Sequence, residues 1–382
     1  MEKIKIIIGG DLVPTKSNEM LFENKNLKEL FGEELIKILE HSDIRIFNLE
    51  APITYKNAAL DKCGPNLKIS PKTMGGIKAL NPSILNLANN HIMDFKKQGL
   101  NDTIETLHNN NIDYIGVGKN LLELKNTHIF NLKSKKIGIY GCAEHEFSIA
   151  AIDKAGAEPF DSINSYKKVR ELKEKCDFVI VLYHGGKEHY RYPSPGLKNT
   201  CNNFIEYGAD LVVCQHSHCI GCLENYKDGT IIYGQGNFIF DNSKSEYWKT
   251  SLLIELELKD KKVLVNYIPI VKKGNIIRLA NTKEKQNILD EFYKRSEEIL
   301  EKNFIEKKYK EFALKNVYNY LYSLSMWPKI IIRVDGRLLN NVLVKVMYRK
   351  KIKKLAALNF IECEAHRELF IAGLKELLKD KG

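Results

Sequence analysis

Two histidines separated by one serine follow a short apolar run in the segment ADLVVCQHSHCI, residues 209–220. The run is typical of a buried strand, so His216 and His218 come where a strand gives way to a loop. Side chains two residues apart in an extended chain point the same way and can converge on one object. A lone histidine on an apolar face is usually a hydrogen-bonded core residue, whereas this pair favours a metal ion.

Similar polar residues follow other apolar runs of the chain. The segments KIKIIIGG, DIRIFNLE, SILNLANNH and DFVIVLYHGG show continuous hydrophobicity, as the buried strands of α/β sheets do. Ligands of open α/β sheets bind outside the carboxyl ends of the strands, so we expect the residues at these ends to face one site. The residues of ligand type at the strand ends are Asp11, Glu50, Asn89, Asn90, His91, His184, His216 and His218.

This set mixes carboxylate, amide-oxygen and imidazole donors. Such a mixture suits Mn, Fe or Zn, and a carboxylate can bridge two ions. Each residue also has a plainer interpretation: Asp11 as a helix cap, Glu50 as a loop acid. Taken in isolation, Asn89 and Asn90 fit a turn better than a metal site, and His184 fits a catalytic base without a metal. Five separate strand ends that all carry ligand-type residues favour the metal site.

The elements that must position these residues indicate an α/β protein with two sheets. Up to His218, strands alternate with helical patterns, which is typical of α/β layering. The later strands GTIIYGQGNFIF, KTSLLIELELKD and KVLVNYIPIVKK are closely spaced, and the last two are joined at Asp260-Lys261 like a hairpin. We expect these later strands to form a second sheet packed on the first. From Thr282 the pattern is helical, which predicts one domain over 1–281 and a basic, mainly helical region over 282–382.

The positive charge lies near the C-terminal end of the sequence. The formal net charge is +11, and residues 301–382 hold eighteen Lys and Arg against nine Asp and Glu, so +9 falls there and +2 on 1–300. The segment 337–354, RLLNNVLVKVMYRKKIKK, is amphipathic with a strongly basic end. Two interpretations stay open: a helical appendage packed on the main domain, or a peripheral contact with a membrane or a synthase. No fingerprint of a nucleic-acid-recognition fold occurs, so nucleic acid is not an expected partner.

The sequence also bears on location. No stretch reaches the roughly 18–20 apolar residues of a spanning helix, and the start MEKIKIIIGGD is typical of a strand rather than a signal peptide. The eight cysteines lack the pairing pattern of a secreted disulfide scaffold, and the lone pair Cys219 and Cys222 favours ordinary loop cysteines over a zinc knuckle. We expect a cytoplasmic protein, or one at the inner face of a membrane.

Six motifs occur in a fixed order: GGDLVP (9–14), FNLEAPIT (47–54), NLANNHIMDFKKQG (86–99), VLYHGGKEHY (181–190), GADLVVCQHSHCIGCLENY (208–226) and IIYGQGNFIFD (231–241). In this order they resemble the capsule-biosynthesis CapA proteins, a branch of the calcineurin-like metallophosphoesterases. The resemblance covers about residues 1–270. It implies a four-layer α/β/β/α sandwich, to which the chain adds a C-terminal helical extension.

The resemblance also implies a site with two divalent metal ions. Glu50 resembles the carboxylate that bridges the ions, and His91 resembles the general acid beside the leaving group. The implied metal ligands are Asp11, Glu50, Asn90, His184, His216 and His218.

The implied ligands divide between the two ions, with His184 and His216 on one and His218 with Asp11 on the other. Val13 stands where established phosphoesterases of the superfamily have a histidine, in an Asp-x-His motif. Because valine cannot bind a metal, the ion held by Asp11 and His218 has one ligand fewer. Glu50 likewise stands where those enzymes place an aspartate.

The implied function is capsule or surface-polymer biosynthesis, with metal-dependent hydrolysis of a phosphoester or polymer-linked substrate. The expected substrate is an anionic polymer such as poly-gamma-glutamate, or a phosphorylated precursor. The alternative is a non-catalytic accessory or polymer-binding subunit of a capsule synthesis complex. Val13 favours this alternative, whereas His91 favours the enzyme because a general acid has no obvious structural use.

Overall fold

The computed structural model describes residues 3–240, 245–259, 262–324 and 328–379. The chain divides into two compact units, Met1–Glu306 and Lys307–Gly382. The strands are β1 Ile4–Val13, β2 Ile44–Leu49, β3 Ile84–Asn86, β4 Tyr114–Ile115, β5 Val117–Gly118, β6 Thr127–Leu132, β7 Lys135–Ala143, β8 Gly156–Ala157, β9 Phe178–His184, β10 Leu211–Gln215, β11 Leu223–Tyr226, β12 Gly229–Ile232, β13 Ile239–Phe240, β14 Thr250–Lys259, β15 Lys262–Lys273 and β16 Ile276–Leu279.

Helices alternate with the strands up to β10 and follow one another after β16. They are α1 Glu19–Glu23, α2 Leu27–Phe31, α3 Glu33–Glu40, α4 Met74–Ala79, α5 Lys96–Asn109, α6 Asn164–Lys173, α7 Pro195–Glu206, α8 Thr282–Glu298, α9 Phe304–Leu324, α10 Lys329–Leu338, α11 Val342–Met347, α12 Lys351–Glu362 and α13 Glu364–Lys379. None of the helices described here is long and apolar enough to cross a membrane.

Two sheets form the centre of the first unit. One has the order β16-β15-β14-β1-β2-β3-β4, with β13 also paired to β1, and the other has the order β11-β12-β10-β9-β7-β6. Strands β1 to β4 run parallel, and so do β7, β9, β10 and β12. The parallel strands bring the carboxyl ends of each sheet to one edge, where ligand sites of α/β proteins form.

The prediction of two sheets is confirmed, but the predicted membership of the second sheet is wrong. The late strands β14, β15 and β16 extend the sheet that contains β1, because β14 pairs antiparallel with β1 from Ile4↔Leu258 to Ile8↔Ile254. β14 and β15 do form the predicted antiparallel pair, and the predicted turn at Asp260-Lys261 lies outside the described residues.

The inner faces of the sheets pack against each other. Ile6 and Ile8 of β1 belong to the same buried cluster as Ile139 of β7 and Ile180 of β9. Ile7, between them in sequence, belongs instead to the cluster on the other face of its sheet. Successive side chains of a strand point to opposite faces, so each of these strands buries apolar side chains on both sides.

Helices cover the outer face of each sheet. Phe22, Leu35 and Leu107 of α1, α3 and α5 pack on the first sheet, and Val169 and Phe204 of α6 and α7 pack on the second. The layers are therefore helix, sheet, sheet and helix. This confirms the predicted α/β/β/α sandwich.

Helix α8 belongs to the sandwich. It begins at Asn281 with a capping box that includes Glu284, and its Phe292 is buried against Leu252 and Ile220. The compact first unit consequently runs to Glu306, beyond the boundary predicted after residue 281. The helices α9 to α13 follow, as the pattern after Thr282 predicts.

Candidate metal centre

Hydrogen bonds join the two sheets at their carboxyl edge. Asp11 lies opposite Asn48 in the pairing of β1 with β2, and His184 lies opposite Gln215 in the pairing of β9 with β10. The Asn48 Nδ2 donates to Asp11 Oδ1 at 2.7 Å and lies 3.3 Å from His184 Nδ1. Residues of both sheets therefore meet in one buried site.

The predicted ligands form two groups that share one carboxylate. Ligand atoms of Asp11, Glu50 and His184 all lie within 4.8 Å of one another, and so do those of Glu50, His216 and His218. Glu50 is fully buried and His184 is 2 % exposed. Among the described residues, Glu50 is therefore the carboxylate that the two groups have in common.

The two groups do not decide how the ligands divide between two ions. Asp11 stands in one group with His184, and His216 stands in the other with His218, while the rings of His184 and His216 also adjoin, with centroids 4.9 Å apart. Asp11 also approaches His218, with 3.3 Å between Oδ2 and Nδ1. The division of ligands between two ions therefore stays a prediction, whereas Glu50 is common to both groups.

The two asparagines after β3 have different surroundings. The Asn90 Oδ1 lies 3.1 Å from His184 Nε2, beside the ligand groups. Asn89 fixes the loop instead: its Nδ2 donates to the Leu49 carbonyl at 2.9 Å, and its Oδ1 accepts from the His91 N–H at 3.1 Å. Of the pair, Asn90 is the one whose amide oxygen lies beside the ligand groups.

His91 lies in a charged cluster beside the ligands. Its Nδ1 donates to Asp94 Oδ2 at 2.6 Å, and Lys62 forms an ion pair with the same carboxylate. Asp94 is fully buried. The carboxylate fixes the orientation of the imidazole, with Lys62 Nζ also 3.1 Å from Nδ1, so Nε2 is the ring nitrogen left for proton transfer.

The loop after β10 adopts unusual backbone angles at both histidines. His216 has φ +89° and His218 has φ +53°, in the left-handed region that bulky residues rarely adopt. Each such residue costs on the order of 1–3 kcal/mol and persists only where its surroundings fix it. The side chain of His218 is fixed by Asn237, whose Oδ1 lies 2.8 Å from His218 Nδ1. Positive φ also occurs at residues away from the site, such as Lys133 and Lys227, so the backbone angle does not by itself mark a ligand.

Burial and neighbouring charges shift the pKa values in the site. Burial, with the nearby Asp11 charge, raises the pKa of Glu50 well above its ordinary value. Burial lowers the pKa of His184 and of His216 well below the ordinary value, and neighbouring imidazoles add to that effect. Burial also lowers the pKa of His218, but the Glu50 and Asp11 carboxylates outweigh it and raise the value to about 10.

The donor set fits a divalent cation. Among the described residues, neither Glu50 carboxylate oxygen has a hydrogen-bond partner, and the same holds for His216 Nδ1. Buried polar atoms without partners are rare because their desolvation is costly. A cation bound to neutral imidazoles and carboxylates would satisfy these atoms and compensate the buried charge.

Val13 contributes no ligand to the site. Its side chain is 2 % exposed and belongs to the core between the first sheet and its helices. Cys219 and Cys222 are also fully buried and stand in neither ligand group. Burial raises the pKa of both thiols, so they remain protonated.

Two aromatic rings, of Trp248 and Phe240, lie beside His218. The sequence did not indicate this contact. The Trp248 ring lies 4.7 Å from the imidazole of His218, and its Nε1 donates to His189 Nε2 at 2.7 Å. The Phe240 ring completes the contact, 4.7 Å from Trp248. These residues leave one side of the site apolar.

Comparison with known proteins gives a consistent picture. The model of the family described as bacterial capsule synthesis protein PGA_cap matches residues 5–242. Capsule biosynthesis protein CapA of Bacillus anthracis is 26% identical over 298 residues, covering 75% of this chain and 72% of that protein. PGA biosynthesis protein CapA of Bacillus subtilis (strain 168) is 28% identical over 255 residues, covering 65% of this chain and 66% of that protein. A probable polyglutamine synthesis accessory protein of Mycobacterium tuberculosis is 28% identical over 223 residues, covering 54% and 59%.

Solved structures show weaker likeness. A novel phosphatase of Mycoplasma pneumoniae gives a TM-score of 0.45 at 19% identity, covering 72% of this chain and 95% of that one. A putative 5'-nucleotidase of Staphylococcus aureus gives 0.46 at 15% identity, covering 76% and 58%. Because these TM-scores are low, the fold assignment rests on the strand pairing of this chain alone.

Proposed function

The chain belongs to the bacterial capsule synthesis protein family PGA_cap, and we propose that it hydrolyses a phosphoester or a polymer-linked bond during surface-polymer biosynthesis. The observation that carries this proposal is Glu50, whose buried carboxylate is shared by two ligand groups and whose oxygens have no hydrogen-bond partner among the described residues. The proposed substrate is an anionic polymer of the poly-gamma-glutamate type or a phosphorylated precursor.

Two divalent ions, Mn, Fe or Zn, suit the proposed site. When bound, they would lower the pKa of a coordinated water and neutralise charge on the oxygen of the bond to be cleaved. Glu50 would be shared between the ions. The residues proposed to hold them are Asp11, Glu50, Asn90, His184, His216 and His218.

His91 is the proposed general acid. With Nδ1 held by Asp94 at 2.6 Å, the imidazole can carry a proton at Nε2 and deliver it to the departing oxygen. Proton transfer by a positioned side chain typically contributes about 10²–10⁴-fold to a rate. The buried carboxylate of Asp94 would keep Nε2 directed away from it through the transfer.

A chromogenic phosphodiester assay with Mn²⁺ tests the proposal. His91→Ala is expected to reduce turnover by about 10²–10⁴-fold while leaving the bound metal unchanged, because His91 is not among the proposed ligands. The matched control is His108→Ala, since His108 is exposed on α5. Equal rates in wild type and His91→Ala would remove the proposed acid.

A second candidate function is that of a non-catalytic accessory subunit that binds the polymer. It is favoured by Val13, which packs in the core and leaves the Asp11 side of the site without the additional imidazole. In that case the purified chain would retain an anionic polymer in a pull-down, and hydrolysis would be absent with Mn²⁺, Fe²⁺ and Zn²⁺ alike.

A further inference from the structure

The second compact unit, residues 307–382, exposes an unusual amount of apolar surface. Of its described residues, Tyr322, Asp335 and Val344 are the buried ones. Large apolar side chains on its helices are open to solvent, among them Leu338 at 77%, Leu369 at 74% and Leu378 at 78%. Extended exposed apolar surface on a soluble protein marks a contact with a membrane or another molecule.

Positive charge accompanies this surface. Residues 307–382 hold seventeen Lys and Arg against seven Asp and Glu, a net charge of +10. Between Asp335 and Glu362 the sequence has no acidic residue and has seven basic ones, which are Arg337, Lys345, Arg349, Lys350, Lys351, Lys353 and Lys354. The surface therefore complements an anionic partner, and a second copy of the chain would meet it with the same positive charge.

A groove within the unit adds an apolar binding site. Its volume is about 640 Å³, and Met347, Phe360 and Phe370 line it. Two cations, Lys353 and Arg367, also line the groove. A groove that combines apolar walls with cations has the chemistry to hold an acyl chain below an anionic headgroup.

We propose that the 307–382 unit docks on an anionic lipid bilayer, with an acyl chain in this groove and the basic residues on the headgroups. A bilayer accounts for the exposed leucines and the cations together, whereas nucleic acid would leave the apolar groove without a role. The unit lies outside the residues that match the capsule synthesis family. The proposal is therefore independent of the hydrolase function.

Sedimentation of the full chain with vesicles tests this proposal. We expect binding to phosphatidylcholine vesicles that contain phosphatidylglycerol, weakening as salt rises, and little binding to phosphatidylcholine alone. Replacing two basic residues, Lys350→Gln with Lys351→Gln, should weaken binding about 25-fold, since each charge near the surface contributes roughly 5-fold. The matched control removes the same charge from the first unit with Lys167→Gln and Lys285→Gln, and its binding should equal that of wild type.

A third variant, Phe360→Ala, tests the groove. It should weaken binding to the anionic vesicles while leaving the salt dependence of the remaining binding unchanged. Circular dichroism of each variant shows whether the helices are retained. Equal binding to both vesicle types, equal loss in the control pair or no binding at all would overturn the proposal. So would a concentration-dependent dimer that Phe360→Ala abolishes, because the surface would then belong to a second copy.

Discussion

Glu50 is the residue on which the candidate site depends. It follows directly after β2, and its fully buried carboxylate is within reach of imidazoles from both β9 and the loop after β10. Burial, together with the nearby Asp11 charge, raises its pKa well above the ordinary value. A cation reverses this effect because it stabilises the charged carboxylate. The sequence predicts the position of Glu50 at a strand end, but only the fold shows that it is shared.

Asp94 is expected to act through His91 rather than on the substrate. Asp94→Asn keeps the size of the side chain and removes the charge that holds the imidazole, so the rate with Mn²⁺ should fall by about 10-fold or more. Metal content should stay at the wild-type level. Asp113→Asn, which alters an exposed aspartate paired with Lys125, is the matched control. A normal rate in Asp94→Asn would show that His91 needs no carboxylate.

At the residue scale, the sequence predicts those site residues that lie in or just after the carboxyl-terminal part of a buried strand. Asp11 near the end of β1, His184 at the end of β9 and His218 after β10 belong to the two ligand groups. Lys62 could not be predicted, because its loop reaches Asp94 only in the folded chain. Trp248 could not be predicted either, because it lies between strands that carry no ligand pattern and approaches His218 only through tertiary packing.

At the scale of elements, the end of β1 must pass very close to the segment before β13. A Cβ at Gly10 would lie 1.9 Å from the Gly236 carbonyl oxygen, so only glycine fits there. This contact sets the path of the chain immediately before Asp11. The position of one proposed ligand therefore depends on the absence of a side chain next to it.

Gly10→Ala is expected to lower the free energy of unfolding by about 1–3 kcal/mol, because overpacking forces the backbone apart, and to weaken metal binding through the displaced Asp11. Urea denaturation and metal titration measure the two effects. Gly196→Ala in α7 is the control, since the nearest atom lies 3.8 Å from the added Cβ. Equal stability and metal affinity in the two variants would contradict the packing argument.

The pattern of strands and helices was predictable, but the pairing of the strands was not. Continuous apolar runs correctly indicate β1, β9 and β10, since both faces of these strands are buried. The assignment of β14 to the sheet of β1 depends on a pairing between residues more than 240 positions apart, such as Ile8 and Ile254. Local patterns carry no information on such pairings. The place of helix α8 in the sandwich likewise depends on a tertiary contact, that of Phe292 with Leu252, which the local pattern does not predict.

At the scale of the whole molecule, the proposed metal site and the proposed lipid contact fall in different compact units. The proposed ligands all lie in Met1–Glu306, and the exposed basic and apolar surface lies in Lys307–Gly382. The sequence indicates this division through its charge, with +10 in the second unit. It did not indicate that Ile299 and Ile305, which follow α8, pack in the core of the first unit.

A chain that ends after Glu306 is expected to unfold cooperatively, to bind the same amount of metal as the full chain and to lose binding to anionic vesicles. The reason is that the core of the sandwich and all the proposed ligands precede that residue. Thermal unfolding, elemental analysis and vesicle sedimentation give the three results. Retained vesicle binding would place the lipid contact in the first unit.

Elemental analysis of the untagged protein, purified without chelator, tests most directly whether the carboxyl edge of the two sheets holds metal. We expect about two equivalents of divalent metal in wild type, a clear fall in both Asp11→Ala and His216→Ala, and no change in His108→Ala. One equivalent, lost only with His216→Ala, would favour the accessory function. Absence of metal even after reconstitution with Mn²⁺, Fe²⁺ or Zn²⁺ would contradict the account.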